Sequence, residues 1–230
     1  MPLLGKAAVA MWWNIRAEMR SEFGDWHSHE HFPERLGIPG FRRGSRWSST
    51  LDATGFFVLY ELDDYATLTS AAYLARLNDP TPWSRKMMPH HLDMVRSQCR
   101  VVAGFGGGVA GAIATIRLSP RAGTEEPFGT TLVETLEKCS GQAGLTGAHL
   151  LRTDTPKTAA PTTEQQIRRG DAAADWIILV SGYEPEAVAE ALAASLSPAA
   201  LHAMGARESL TVGRYQLSLA MTAQDVGASA

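Results

Sequence analysis

Two stretches, GFFVLYELD (Gly55–Asp63) and DWIILVSGY (Asp175–Tyr183), decide how this chain folds. Each is short, bounded by turn-forming or charged residues, and rich in β-branched and aromatic side chains, so each reads as a strand. Neither alternates apolar with polar residues. A strand with one wet face alternates, whereas a strand covered on both faces is apolar throughout. Both stretches are therefore expected in a sheet with helices on one face and a second sheet on the other.

Working outward, the same order of elements recurs around each. AAVAMWWNI (Ala7–Ile15) reads as a strand, and Met19, Phe23 and Trp26 recur at helical spacing between Arg16 and about Phe32. Pro33 is expected to close that helix, and Pro39-Gly40 marks a turn. FRRGSRWSS (Phe41–Ser49) pairs with the first deciding stretch. A helix over Asp64–Leu77, a short one over Trp83–Val95, and a strand over SQCRVVAGF (Ser97–Phe105) follow. The second half repeats the order: strand Gly111–Ser119, helix Glu125–Ser140, strands Leu145–Thr153 and Asp175–Tyr183, helix Glu186–Met204, strand Ser209–Met221. The expected fold is α+β: tandem ferredoxin-like β-α-β-β-α-β units, 1–106 and 107–230, closing as an intramolecular α/β barrel. The candidate site falls in the first unit, and the second reads as a degenerate, structural partner. The polar insert Asp154–Ala172 is expected to be a mobile loop.

Composition narrows the function classes. A formal net charge of −3 over 230 residues lacks the concentrated positive surface that phosphate backbones demand, so no nucleic-acid partner is expected. The two cysteines, Cys99 and Cys139, form no disulfide framework and fit a reducing, cytoplasmic setting. The opening residues read as a strand rather than a leader. VVAGFGGGVAGAIATI (Val101–Ile116) is too short and glycine-rich for a membrane span. Its Gly106, Gly108 and Gly111 match G-x-G-x-x-G, but a dinucleotide site needs a helix next, and AIATIRLS is strand-like. That segment reads as a hinge.

The segment EFGDWHSHEHFPERLGIPGFRRG (Glu22–Gly44) resembles the helix-and-turn signature of EthD-like proteins in the dimeric α/β-barrel superfamily. The matching residues are Phe23, Trp26, His27 or His31, Pro39 and Gly40. The motif covers about a tenth of the chain, while the resemblance in element order covers nearly all of it. Relatives include proton-shuffling isomerases, cyclases, cofactor-free monooxygenases and haem enzymes, so the resemblance implies a fold more firmly than a reaction. The chain departs from the usual single-unit form by holding both units, and its second half lacks a histidine-rich helix end.

The same segment holds the candidate chemistry. On a helix, Met19, Phe23, His27 and His31 form one row, with Glu22, Trp26 and Glu30 beside it. A carboxylate next to imidazoles can orient one and tune it as a general base, so His27, Glu30 and His31 are the catalytic candidates. Histidines serving only a helix C-terminus are the structural alternative. HSHEH also spells the H-x-x-E-H metallopeptidase pattern, which needs an uninterrupted helix that Pro33 is expected to deny, so no metal is assigned. NDPTPWSRKMMPHH (Asn78–His91) carries Trp83, Met87, Met88 and His90, an apolar wall with a polar tip. Tyr60, and Trp12 or Trp13, are expected to face the same space. Arg35 or Arg46 would hold a carboxylate or phenolate.

These residues give a leading reading of a cofactor-independent acid–base enzyme, of isomerase, cyclase, dehydratase or decarboxylase type, acting on a small apolar or aromatic metabolite. Trp26, Arg35, Arg46, Tyr60, Trp83 and His90 would bind it. The other readings are a non-catalytic small-molecule-binding or stress-response module, and a haem- or metal-dependent enzyme. No nucleic-acid or membrane partner is expected, and a homodimer of whole chains is compatible with the sequence but not decided by it.

Overall fold

A computed structural model describes residues 3–154, 160–168 and 170–227. Its strands are β1 (Ala7–Ile15), β2 (Phe41–Ser49), β3 (Gly55–Leu62), β4 (His91–Gly106), β5 (Ala112–Leu118), β6 (Leu145–Thr153), β7 (Trp176–Gly182) and β8 (Thr211–Thr222). Its helices are α1 (Arg20–Trp26), α2 (Phe32–Leu36), α3 (Ala71–Asn78), α4 (Pro82–Met87), α5 (Glu125–Ser140), α6 (Thr163–Ile167), α7 (Pro185–Ala193), α8 (Pro198–Met204) and α9 (Ala223–Gly227). Hydrogen-bonded strand order runs β1-β3-β2-β8-β5-β7-β6-β4 and closes on itself, an eight-stranded α+β barrel. Every residue of β3 and of β7 is buried, as their mainly apolar, non-alternating sequence requires, with Glu61 of β3 paired to Arg43.

Two compact units make up the chain. One takes the described residues of 4–100, 154–173 and 218–230. Its sheet pairs β1 with β3 (Val9 opposite Tyr60), β1 with β4 (Ala7 opposite Arg100) and β2 with β3 (Trp47 opposite Phe57), all antiparallel. Val9, Met11, Trp13, Val58 and Tyr60 pack against Phe23, Trp26 and Phe32 in its core. The other unit takes the described residues of 1–3, 101–153 and 174–217. There β7 pairs with β5 and β6, and Ile116, Leu150 and Ile178 pack against Phe128, Leu132 and Leu136 of α5.

Several boundaries differ from the sequence reading, each for a local reason. Pro33 does not end the helix. A π-helical turn over His27–His31 follows α1, and Pro33 sits in the first turn of α2, where a missing N–H costs little. Ser70 caps α3 by accepting from the Tyr73 amide, splitting the helix expected over Asp64–Leu77. Ser197 and Pro198 likewise start α8 apart from α7. The helix expected over Trp83–Val95 stops at Met87, and β4 already begins at His91. The insert is not loop throughout: Thr162 and Gln165 form a capping box on α6. Residues 155–159 and 169 of the insert lie outside those described. Among described residues no single helix is long and apolar enough to cross a membrane.

Candidate active site

A cavity opens between the helical face of β1, β3 and β4 and the helices over it, all within the first unit described above. On its β1 side are Val9, Met11 and Trp13, alternate residues sharing a face. Tyr60 enters from β3. The opposite wall is Trp26, His27, His31 and Arg35, with Met88 beyond α4. The cavity encloses about 30 Å³ for water-sized occupants, space for one or two. Three of its walls, Met11, Met88 and Met94, are unbranched thioethers that can repack around a larger guest.

The π turn sets the histidine row. In an α-helix, residues four apart drift by about 40°, so three at that spacing would fan out. A wider turn over His27–His31 takes back that drift, and His27, His31 and Arg35 all reach the cavity. The His27 and His31 rings lie 5.4 Å apart, and Trp26 packs 4.6 Å from His31. His29, off the row, is exposed and bonds Asp25 carbonyl at 3.0 Å.

The electrostatics favour neutral imidazoles. Burial, reinforced by the positive charges of Arg46 and Arg35, holds His27 well below its ordinary pKa. Burial does the same to His31, with Arg35 adding to it. The carboxylate beside a histidine is Glu34, whose Oε2 lies 3.9 Å from His31 Nδ1. Glu30, expected to orient a histidine, does something else. Its Oε1 accepts from Trp26 Nε1 at 3.1 Å and from Thr81 Oγ1 at 2.5 Å. It thereby fixes the tryptophan, which also donates to Ser84 Oγ at 3.2 Å.

The remaining expected site residues divide. Tyr60 lines the cavity with its hydroxyl buried and unpartnered, and burial raises that phenol well above its ordinary pKa, so it is a donor. Arg35 lines it too, bonded to Glu164 of α6. Burial would lower this guanidinium's pKa, but the charges of Glu164, Tyr73 and Glu34 outweigh it. Arg46 lies outside the lining, its guanidinium 5.8 Å over the Phe23 ring and Nη1 donating to Gly24 carbonyl at 3.3 Å. Trp83 donates to Glu22 at 3.1 Å, also outside. His90 does not line the cavity, whereas His91 does.

Sequence reasoning missed three contributors. His91 enters because β4 bulges opposite Trp13: Trp12 faces Val95 and Asn14 faces Leu92, leaving Asp93 with φ of 55°. Regular alternation would put residues 91 and 94 on opposite faces, yet both line the cavity. Glu164 and Arg168 come from the insert. Glu164 bridges Arg35 and Arg168, and Arg168 makes a bidentate pair with Asp171 at 2.9 and 2.8 Å. The capping-box pattern Thr162–Gln165 was the available signal that this segment is ordered. Among the described residues, no group of three or more His, Cys, Asp or Glu is placed to hold a metal ion.

Comparison with known proteins returns no matching family model and no matching curated sequence. Solved structures do match. An anthrone oxidase-like protein superposes with a TM-score of 0.68 at 11% identity, over 98% of this chain and 96% of that one. What is shared is the fold. A candidate monooxygenase from Fusobacterium nucleatum gives 0.62 at 8% identity, covering 96% of both chains. Another from Lactobacillus acidophilus gives 0.60 at 8%, over 95% and 97%. At these identities the ferredoxin-like α/β-barrel architecture is common to all, and side-chain chemistry must be argued from this chain alone.

Proposed function

We propose that this chain is a cofactor-independent acid–base enzyme that moves a proton on a small apolar or aromatic oxygenated metabolite. The observation that carries the reading is that buried, unpartnered polar atoms (His27 Nδ1, His31 Nδ1, Tyr60 Oη) belong to residues lining one cavity. A neutral imidazole can take a proton, and a protonated phenol can donate to a substrate oxygen. His31 is the proton acceptor in this reading. Positive charges act on both imidazoles, Arg35 and Arg168 on His31 as Arg46 and Arg35 on His27, and what sets His31 apart is the Glu34 carboxylate 3.9 Å from its Nδ1. Because burial makes the His31 imidazolium costly alone, it forms together with the substrate anion, held by Arg35 and Tyr60 as an ion pair. Glu30 then acts on Trp26 as a positioning residue.

The residues Phe23, Trp26, His27 and His31 with the Pro39-Gly40 turn support placing the chain among EthD-like proteins, and the repeated element order supports reading 1–106 and 107–230 as tandem units. The test is deuterium exchange into small aryl ketones such as acetophenone in D₂O, followed by mass spectrometry. Exchange above the buffer rate is expected, falling by ~10²–10⁴ in His31→Ala with folding retained. Exchange indifferent to that substitution would sink the assignment of His31. Ketone binding without exchange would make the chain a non-catalytic binding module.

A further inference from the structure

The bulge between β1 and β4 brings together two aromatic rings that the proton-transfer scheme does not use. Trp13 and His91 lie 5.1 Å apart between ring centroids, and both line the cavity. Trp13 Nε1 and both ring nitrogens of His91 are buried with no partner among the described residues. Around His91 are Trp26 at 5.8 Å and Phe23 at 5.9 Å, and the charge of Arg168 acts on it from the same cavity lining.

The donor and acceptor inventory narrows what could satisfy these atoms. An indole nitrogen only donates, and a neutral imidazole offers one donor and one acceptor. Burial lowers the His91 pKa to about 3, with Arg168 contributing, so the ring is neutral at physiological pH. The two ring nitrogens point away from each other, so one ligand atom meets the indole N–H and only one of them. A carboxylate or ketone oxygen only accepts, and would strand that nitrogen where it carries the lone pair; an ammonium only donates, and would strand the indole N–H. A hydroxyl oxygen accepts from the indole N–H and, in either imidazole tautomer, accepts from or donates to the ring nitrogen that faces it.

We propose that Trp13 and His91 form a hydroxyl-binding subsite, so that the cavity takes a ligand bearing a phenolic or enolic OH. This rests on the cavity's being the ligand site, as proposed above, but not on any proton transfer within it. The aromatic rings around His91 and the adaptable methionines suit an aryl body behind that hydroxyl.

The experiment is an NMR titration of the histidine-ring ¹⁵N signals of the full chain with phenol, anisole and toluene, three probes of similar shape. His91 is assigned from its absence in His91→Phe. Phenol is expected to shift the His91 signals and to bind at least ~10-fold more tightly than toluene or anisole, because leaving buried polar groups unpaired is what penalises the analogues. In His91→Phe that preference should fall below about threefold while toluene still binds, and His91→Gln, which keeps a donor and an acceptor, should retain part of it. Equal affinities in the native chain, no binding by any probe up to its solubility, or an undiminished preference in His91→Phe would each overturn the proposal. Intact phenol preference without deuterium exchange would count against the enzyme reading alone.

Discussion

His27, His31 and His91 are buried imidazoles held neutral, so each resists acid as a separate residue. Their folded pKa values lie below the ordinary 6.5 expected in the unfolded chain. Below pH 6.5 the unfolded state therefore binds more protons, and stability is lost as pH falls toward the folded values. Denaturant unfolding between pH 8 and 5 should show stability flat above about 7 and declining by roughly 1 kcal/mol per pH unit for each histidine below 6.5. His91→Phe should flatten that slope by about a third. Trp26 makes a second residue-scale case. Trp26→Phe removes the donor to Glu30 and Ser84 in a fully buried setting and should cost about 1–3 kcal/mol in urea unfolding. The histidine row was legible because four-residue spacing is visible in any helix. The partner of Glu30 was not, since Thr81 and Ser84 arrive from α4, distant in sequence.

Elements, rather than residues, decide which side chains share the cavity. Gly44 on β2 lies where an added Cβ would come within 2.9 Å of the Tyr60 ring and 3.4 Å of Phe32. Gly44→Ala should push Tyr60 aside, costing about 1–3 kcal/mol and weakening ligand binding beyond that stability loss; urea unfolding and the phenol titration would measure the two separately. The β4 bulge is the other device. Asp93 adopts a left-handed conformation that a β-branched residue avoids, so Asp93→Val should cost about 1–2 kcal/mol and move the His91 ¹⁵N signals, whereas Asp93→Gly should leave both nearly unchanged. The mainly apolar, non-alternating runs of β3 and β7 announced strands covered on both faces, and they are. A bulge has no comparable signature. It shifts parity by one residue, so the sequence does not tell whether His90 or His91 turns toward the cavity.

At the scale of the whole molecule, the site is not the property of the first 106 residues. Arg35 is buried, and its counter-ion Glu164 belongs to the second half of the sequence. Removing that carboxylate strands a buried guanidinium, so Glu164→Ala should cost about 3–5 kcal/mol in equilibrium unfolding. Arg35→Leu combined with Glu164→Leu should recover much of the loss, because an apolar pair leaves no charge uncompensated. A fragment of residues 1–106 lacks Glu164, Arg168 and the end of β8 and should fail to give a cooperative unfolding transition. Element order revealed the barrel because each strand and helix carries its own periodicity. The insert's role was hidden because a single glutamate in a polar segment has no periodicity to read.

The methionines that make the cavity adaptable also give it a memory. Thioethers take up oxygen to become sulfoxides, and Met88 is shielded from bulk solvent while Met11 and Met94 stand beside it on the same cavity. Oxidants in bulk solvent would mark the half-buried Met19, Met204 and Met221 ahead of the buried Met11 and Met88. A chain whose Met11 and Met88 carried sulfoxide while Met19, Met204 and Met221 did not would bear the trace of an oxidant admitted to the cavity, a history written in mass increments of single peptides.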